Sequence, residues 1–168
     1  MFGVNANSTP FPSVLMSGLQ APSSLAEEHR GLFRELVELE SEGGKTGKAV
    51  NELLAVLEPH FEKEEEAVMP LLGALRPLSE GKAIRDYSEA ISLHERFSSD
   101  YPMMLKEHAQ VKKLIERVRT AARKEGKGGV VAAMDELEHH AKVEEEVLYP
   151  AAMLVGAFAS GKAKAKVS

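Results

Sequence analysis

The sequence predicts an all-α protein, an antiparallel up-down four-helix bundle, and three observations carry that expectation. Eleven residues are written almost twice, HFEKEEEAVMP over 60–70 and HAKVEEEVLYP over 140–150, at an offset of 80. Apolar residues recur in steps of three and four over long stretches, the period of an amphipathic helix. Glycines gather between such stretches, as GG at 43–44 and EGKGG at 125–129. Each half of the chain thus reads as helix, glycine turn, helix, and two such hairpins pack face to face as a bundle.

Composition narrows the chemistry. A chain of 168 residues suits one domain with its own core. With 43% hydrophobic and 28% charged residues and no Trp, it fits a helix-rich class. The 21 basic residues against 26 acidic give a net charge of -5, and no basic stripe exists beyond Lys162, Lys164 and Lys166, which argues against a nucleic-acid partner. The chain has no cysteine. That excludes disulfides, zinc-thiolate sites and cysteine-ligated iron-sulfur clusters, so any metal must sit on nitrogen and oxygen. No serine lies in a nucleophile motif. The first basic residue is Arg30, so the N-terminus lacks the charged region of a secretory signal or the arginines of a transit peptide. The longest apolar run, 147–159, is broken by Pro150 and Gly156 and is too short to span a bilayer. The expectation is a cytoplasmic monomer or homodimer with no membrane partner.

In chain order, residues 1–23 carry Pro10, Pro12 and Pro22 among Ser, Asn and Gly and read as a flexible N-terminal arm. The bundle is expected over 24–155 and a C-terminal tail over 156–168. Ser24 with Glu27 is a capping-box signal, and the helix it opens ends near Glu42, stopped by Gly43 and Gly44. A second helical pattern starts near Lys48 and fades by Pro77. A third spans 82–97, after which Ser98 to Pro102 interrupts: either Asp100 caps a new helix or Pro102 kinks a continuous one. The pattern then runs from Pro102 to about Lys124, and a last helix runs from Val130 beyond Tyr149.

The phase of each polar residue against its apolar stripe shows where it points. Leu25, His29, Leu32, Leu36 and Leu39 share one face of the first helix, and Val50, Leu53, Leu57, His60, Glu64, Val68 and Leu71 share one face of the second. In the later half, Met104, His108, Val111, Ile115 and Val118 align, as do Val130, Ala133, Leu137, His140, Glu144, Val147 and Ala151. Four histidines and two carboxylates therefore aim at one core, at matching distances from their glycine turns. Residues four apart on a helix differ by about 40° and rise by about 6 Å, so each His and Glu pair can reach a common centre. Glu62, Glu65 and Glu66 read as a solvated face. Two inward carboxylates with no Lys or Arg on their stripes are costly unless a cation joins them. Six N and O donors suit iron, manganese or zinc, with shared carboxylates suiting a dinuclear site. The ferritin-like plan of Glu-x-x-His motifs is met only once, at Glu136 and His139.

The doubled H-x-x-x-E unit with its acidic run and proline, together with the lone histidine of each EH pair at 28–29 and 107–108, resembles the hemerythrin-like, or HHE cation-binding, family over about residues 24–152. The resemblance implies a non-haem di-iron centre in a four-helix bundle. It implies His29, His60, His108 and His140 as terminal ligands, Glu64 and Glu144 as bridges, and an oxo or hydroxo group between the irons. Oxygen-carrying hemerythrins have five histidines, two of them four apart on the third helix, where this chain has Met104 and Lys112 around His108. Their last carboxylate falls five residues after its histidine, which keeps Glu145 open beside Glu144. His94 and His139 also remain. His94 lies about 21 Å along a helix from His108, so only one of the two can join the cluster, and the repeated EH context selects His108. His139 lies about 100° off the stripe.

Three functions are compatible with these residues: a di-iron protein binding oxygen or nitric oxide for sensing, storage or stress response; a di-iron redox enzyme acting on peroxide or oxygen; and a metal-free interaction bundle.

Overall fold

The computed structural model describes residues 19–165; most of the arm expected over 1–23, and the last three residues of the tail, lie outside the described residues. Among the described residues the chain is helical without strands. The elements are α1 (Ser23–Ser41), α2 (Gly44–Lys63), a π-helical turn (Glu64–Val68), α3 (Met69–Leu72), α4 (Leu75–Ser79), α5 (Tyr87–Glu125), α6 (Gly128–Val143), a second π turn (Glu144–Leu148) and α7 (Tyr149–Ala165). Four long rods result: α1, α2 with α3, α5, and α6 with α7. They form the expected four-helix bundle. None of the described helices is long and apolar enough to cross a membrane.

The two tight turns at one end hold the hairpins. Gly43 and Gly126 have φ of 68° and 71°, positive values that glycine adopts without a Cβ penalty. The Glu125 carboxylate, at the end of α5, accepts from Lys45 N and Thr46 N at 2.8 and 3.2 Å and from Thr46 Oγ1 at 2.7 Å. This acceptor from another helix satisfies orphan donors at the start of α2, which begins at Gly44 rather than near Lys48. The capping box at Ser24 does not form. α1 starts at Ser23, and the Pro22 carbonyl takes the Leu25 and Ala26 N–H groups instead.

Two further boundaries differ from the sequence reading. Residues 82–86 are outside any helix, and Asp86 caps α5 through Ser88 N and Glu89 N at 2.9 and 3.0 Å. Of the two alternatives at Ser98 to Pro102, the continuous helix is the one that forms, and α5 runs unbroken for 39 residues. At the α-helical rise that is a length of about 58 Å. Pro102 and Ser98, whose carbonyl loses its partner at the proline, both lie on the exposed face, while Phe97 and Met104 anchor the buried face on either side. At the other end α7 continues to Ala165, with Ala159 buried, so most of the stretch expected as a tail is helix.

The core is in two parts. One cluster, near the glycine turns, joins Leu36, Leu53, Leu57, Phe61, Val111, Ile115, Val118, Met134 and Leu137. The other joins Val68, Leu71, Ile84, Phe97, Met104, Tyr149, Ala152 and Val155. Between them, as one layer across the bundle, lie the buried polar residues His29, His60, Glu64, His108, His140 and Glu144.

Candidate metal centre

Each of the four rods contributes to this polar layer. His29 comes from α1, His60 and Glu64 from α2 and the turn after it, His108 from α5, and His140 and Glu144 from α6 and its turn. All six are at most 6% exposed. The histidines form two pairs, His60 with His108 at 4.6 Å between ring centroids and His29 with His140 at 5.1 Å.

The two carboxylates lie between the pairs. Glu64 puts Oε1 3.5 Å from His60 Nε2 and Oε2 3.6 Å from His29 Nε2. Glu144 puts Oε1 2.8 Å from His140 Nε2 and 3.3 Å from His29 Nε2, and Oε2 3.3 Å from His108 Nε2. Every imidazole therefore turns Nε2 inward, and each carboxylate offers one oxygen to each pair. Two groups of donor atoms, from His60, Glu64, His108 and Glu144 and from His29, His140 and Glu144, each lie within 4.8 Å of one another, the compass of a single ion.

The outward nitrogens are held by a second set of acids. His60 Nδ1 donates to Glu107 at 2.9 Å, His108 Nδ1 to Glu145 at 3.0 Å and His140 Nδ1 to Glu28 at 3.0 Å, while Glu65 lies 3.7 Å from His29 Nδ1. Such contacts fix the tautomer that leaves Nε2 free for a metal. Lys63 and Lys112 in turn pair with Glu107 and Glu145. The repeats EH and EEE thus have a division of labour. In each acidic triplet the first glutamate enters the layer, the second flanks a lone histidine, and the third meets a surface cation, Arg96 for Glu66 and Lys142 for Glu146. Glu65 is therefore not on the solvated face expected for it, and Glu145 sits on the outer side of His108 while Glu144 faces inward.

The π turns arise at the repeated proline. Met69 N bonds Glu64 O and Tyr149 N bonds Glu144 O, five residues back. Each helix thus widens just before a residue that has no N–H and whose ring crowds the carbonyl four positions earlier. The extra residue shifts the phase of the helix beyond it. Val147, expected on the buried stripe, is 55% exposed, and Tyr149, Ala152 and Val155 take the inner face instead.

That shift delivers a residue the periodicity did not flag. Tyr149 is fully buried, donates its hydroxyl to Glu64, and brings that oxygen 3.2 Å from His108 Nε2 and 3.5 Å from His60 Nε2. The other two histidines stay apart from the layer. His94 packs against Gly156 near the far end of the bundle, and His139 is exposed on the rim of a cleft of about 700 Å³ between α1 and α6. That cleft reaches down to His140 past Leu25, Glu28 and Leu32.

Electrostatics favour positive charge in the layer. Burial opposes charging His29 and His60, yet Glu144 and Glu65 around the first, and Glu64 and Glu107 around the second, outweigh it and raise both to about 9. Burial likewise disfavours the Glu144 carboxylate, but His108, His140 and His29 hold it well below its ordinary range. On the inner side of the layer, among the described residues, Glu64 Oε2 and His140 Nε2 are buried without a hydrogen bond, although His140 Nε2 lies 2.8 Å from Glu144 Oε1. Lone pairs turned toward a common point rather than toward one another are what donor groups sharing an ion require. A nitrogen and oxygen donor set with these orphaned atoms fits a bound cation, and protons on the imidazoles supply the balancing charge without one.

Neither a curated protein nor a solved structure matches the chain. The hemerythrin HHE cation-binding domain model does match, over residues 21–152. With its six buried histidines and glutamates gathered between two apolar cores, the chain belongs to the hemerythrin HHE cation-binding family.

Proposed function

We propose that this is a non-haem di-iron protein that binds a small ligand, oxygen or nitric oxide, for sensing, storage or stress response. His29 and His140 would hold one ion, His60 and His108 the other, and Glu64 and Glu144 would bridge them, with an oxo or hydroxo group between. The observation that carries this reading is that each carboxylate directs its two oxygens to different histidine pairs, an arrangement with no purpose for a single ion. Imidazole and carboxylate donors suit iron, manganese and zinc alike, and the family resemblance is what favours iron among them.

Bound iron supplies redox chemistry and coordination positions for a diatomic ligand. The chain's own contribution is to orient and insulate. Glu28, Glu107 and Glu145 hold three imidazoles in the tautomer a metal needs. The apolar clusters on both sides keep bulk water from the layer. The cleft between α1 and α6 gives a small molecule its approach, on the His29 and His140 side.

The test is metal content per chain, by elemental analysis, after anaerobic reconstitution with ferrous iron, desalting and exposure to air. A pair of irons in the native chain, lost when His60→Ala and His140→Ala are combined, is the expected result. No retained iron in the native chain would sink the di-iron reading.

A further inference from the structure

Among the described residues, Tyr149 is the one oxygen-bearing side chain at the layer that neither histidine spacing nor acidic repeat accounts for. Its hydroxyl donates to Glu64 Oε1 and lies 3.2 Å from His108 Nε2 and 3.5 Å from His60 Nε2. Those two nitrogens are 2.8 Å apart, and Glu64 Oε1 is 3.5 Å from His60 Nε2. Donors at about 2.1 Å from one ion and at right angles to each other stand about 3 Å apart. The phenol oxygen is thus spaced from these three atoms as a fourth donor to the same ion would be.

The ring cannot easily withdraw. It stacks on His108 at 5.5 Å and 19°, and meets Phe97 and Tyr101 edge-on at 5.5 and 5.9 Å. The π turn places it there, since bonding five residues back returns Tyr149 over Glu144. In the first copy of the repeat the corresponding residue is Met69, which has no oxygen to offer. The two halves of the layer are therefore unlike in this one donor.

Resting on the di-iron reading, we infer that Tyr149 is an oxygen ligand of the ion held by His60 and His108, and that this makes the two metal positions chemically distinct. The phenolic proton leaves to the buffer as the ferric ion enters, as protons do when metal ligands are bound. The ion at His60 and His108 is closed by the phenolate. The one at His29 and His140, beside the cleft, keeps the open position for the small ligand.

Ferric-loaded protein tests this by visible absorption and resonance Raman, with iron per chain measured on the same samples. The native chain, and a Tyr87→Phe and Tyr101→Phe double variant in which Tyr149 is the last of three tyrosines, should show a phenolate-to-ferric charge-transfer band and phenolate ring modes. Tyr149→Phe should keep its irons and lose both signals. A native chain with a pair of irons and no such band, or a band that survives in Tyr149→Phe, overturns the assignment while leaving the di-iron reading intact. If Tyr149→Phe does not fold, the double variant decides alone: the band assigns the ligand to Tyr149, and its absence refutes it. A native chain without iron removes the di-iron reading and this inference with it.

Discussion

Phe61 separates the polar layer from the apolar cluster next to the glycine turns, and its truncation has a size that can be worked out beforehand. The side chain is 1% exposed. It lies parallel to the His29 ring, with centroids 4.1 Å apart and planes 19° apart, and meets the His140 ring edge-on at 6.1 Å. Phe61→Ala leaves a cavity there, at a cost of about 3–5 kcal/mol for a fully buried phenylalanine. For a chain of this length each kcal/mol moves Tm by about 2–4 °C, so the expected fall is about 6–20 °C. Phe61→Leu refills most of the volume and restores more than half of that loss. The stacking on His29, worth about 0.5–1.5 kcal/mol beyond burial, is absent from both variants.

The functional consequence is separable from the stability one. Three histidines have Nδ1 within 3.0 Å of a carboxylate, but His29 has only Glu65 at 3.7 Å. Phe61 thus restrains a ring that lacks a close partner at Nδ1. In urea unfolding with a chelator, Phe61→Leu should resemble the native chain more than Phe61→Ala does. With iron added, both variants should gain less stability than the native chain, because His29 is no longer pre-set. The reasoning is refuted if Phe61→Ala costs under about 1 kcal/mol, outside the range for a filled core site, or if Phe61→Leu gains as much from iron as the native chain.

Two further outcomes are expected. Hydrogen bonds from the Thr46 side chain and from the Lys45 backbone lower Glu125 from 4.5 to about 2. A carboxylate depressed by folding stabilises above its unfolded value, so the effect is fully present above about pH 4.5 and is lost as pH falls toward 2. Glu125→Gln should be less stable than the native chain at about pH 6, with the difference vanishing toward pH 2 in thermal melts; a difference that grows on acidification would contradict the assignment. A Cβ on Gly156 would overlap the His94 ring. Gly156→Ala should therefore cost about 1–3 kcal/mol by overpacking, His94→Ala should relieve part of it in a double-mutant cycle, and iron content should be unchanged by His94→Ala.

How far the site is legible without the structure depends on the distance over which each determinant acts. The phase of His29, His60, His108 and His140 against Leu and Val at steps of three and four is a local property of an α-helix, so the inward face of each rod is legible, as is the hairpin turn at Gly43 and Gly126. Periodicity fails where the helix itself changes. Beyond Glu144 the π turn adds a residue to the count, and a stripe counted on the regular α-helical period puts Val147 inside and leaves Tyr149 unremarked. The repeated proline, ten residues after each histidine, is the available signal, since it removes a donor at the same place in both copies.

Other features exist only because the helices meet. Glu65 looks like a surface acid, and Glu145 like an alternative to Glu144, until α1 and α5 bring His29 and His108 against them. The start of α2 is set by a carboxylate eighty residues away, Glu125. Around Pro102 the sequence in isolation leaves a new helix and a continuous one both open, and packing on both sides of it holds the rod together. By itself the sequence determined four amphipathic helices and the six polar residues on their inner faces, because a side chain's direction on a regular helix is fixed by its position along the chain. Only the tertiary structure decided which acid serves which histidine, where the helices widen, and that a tyrosine oxygen lies at one histidine pair and not the other, because those depend on the register between rods and on backbone that departs from the regular helix.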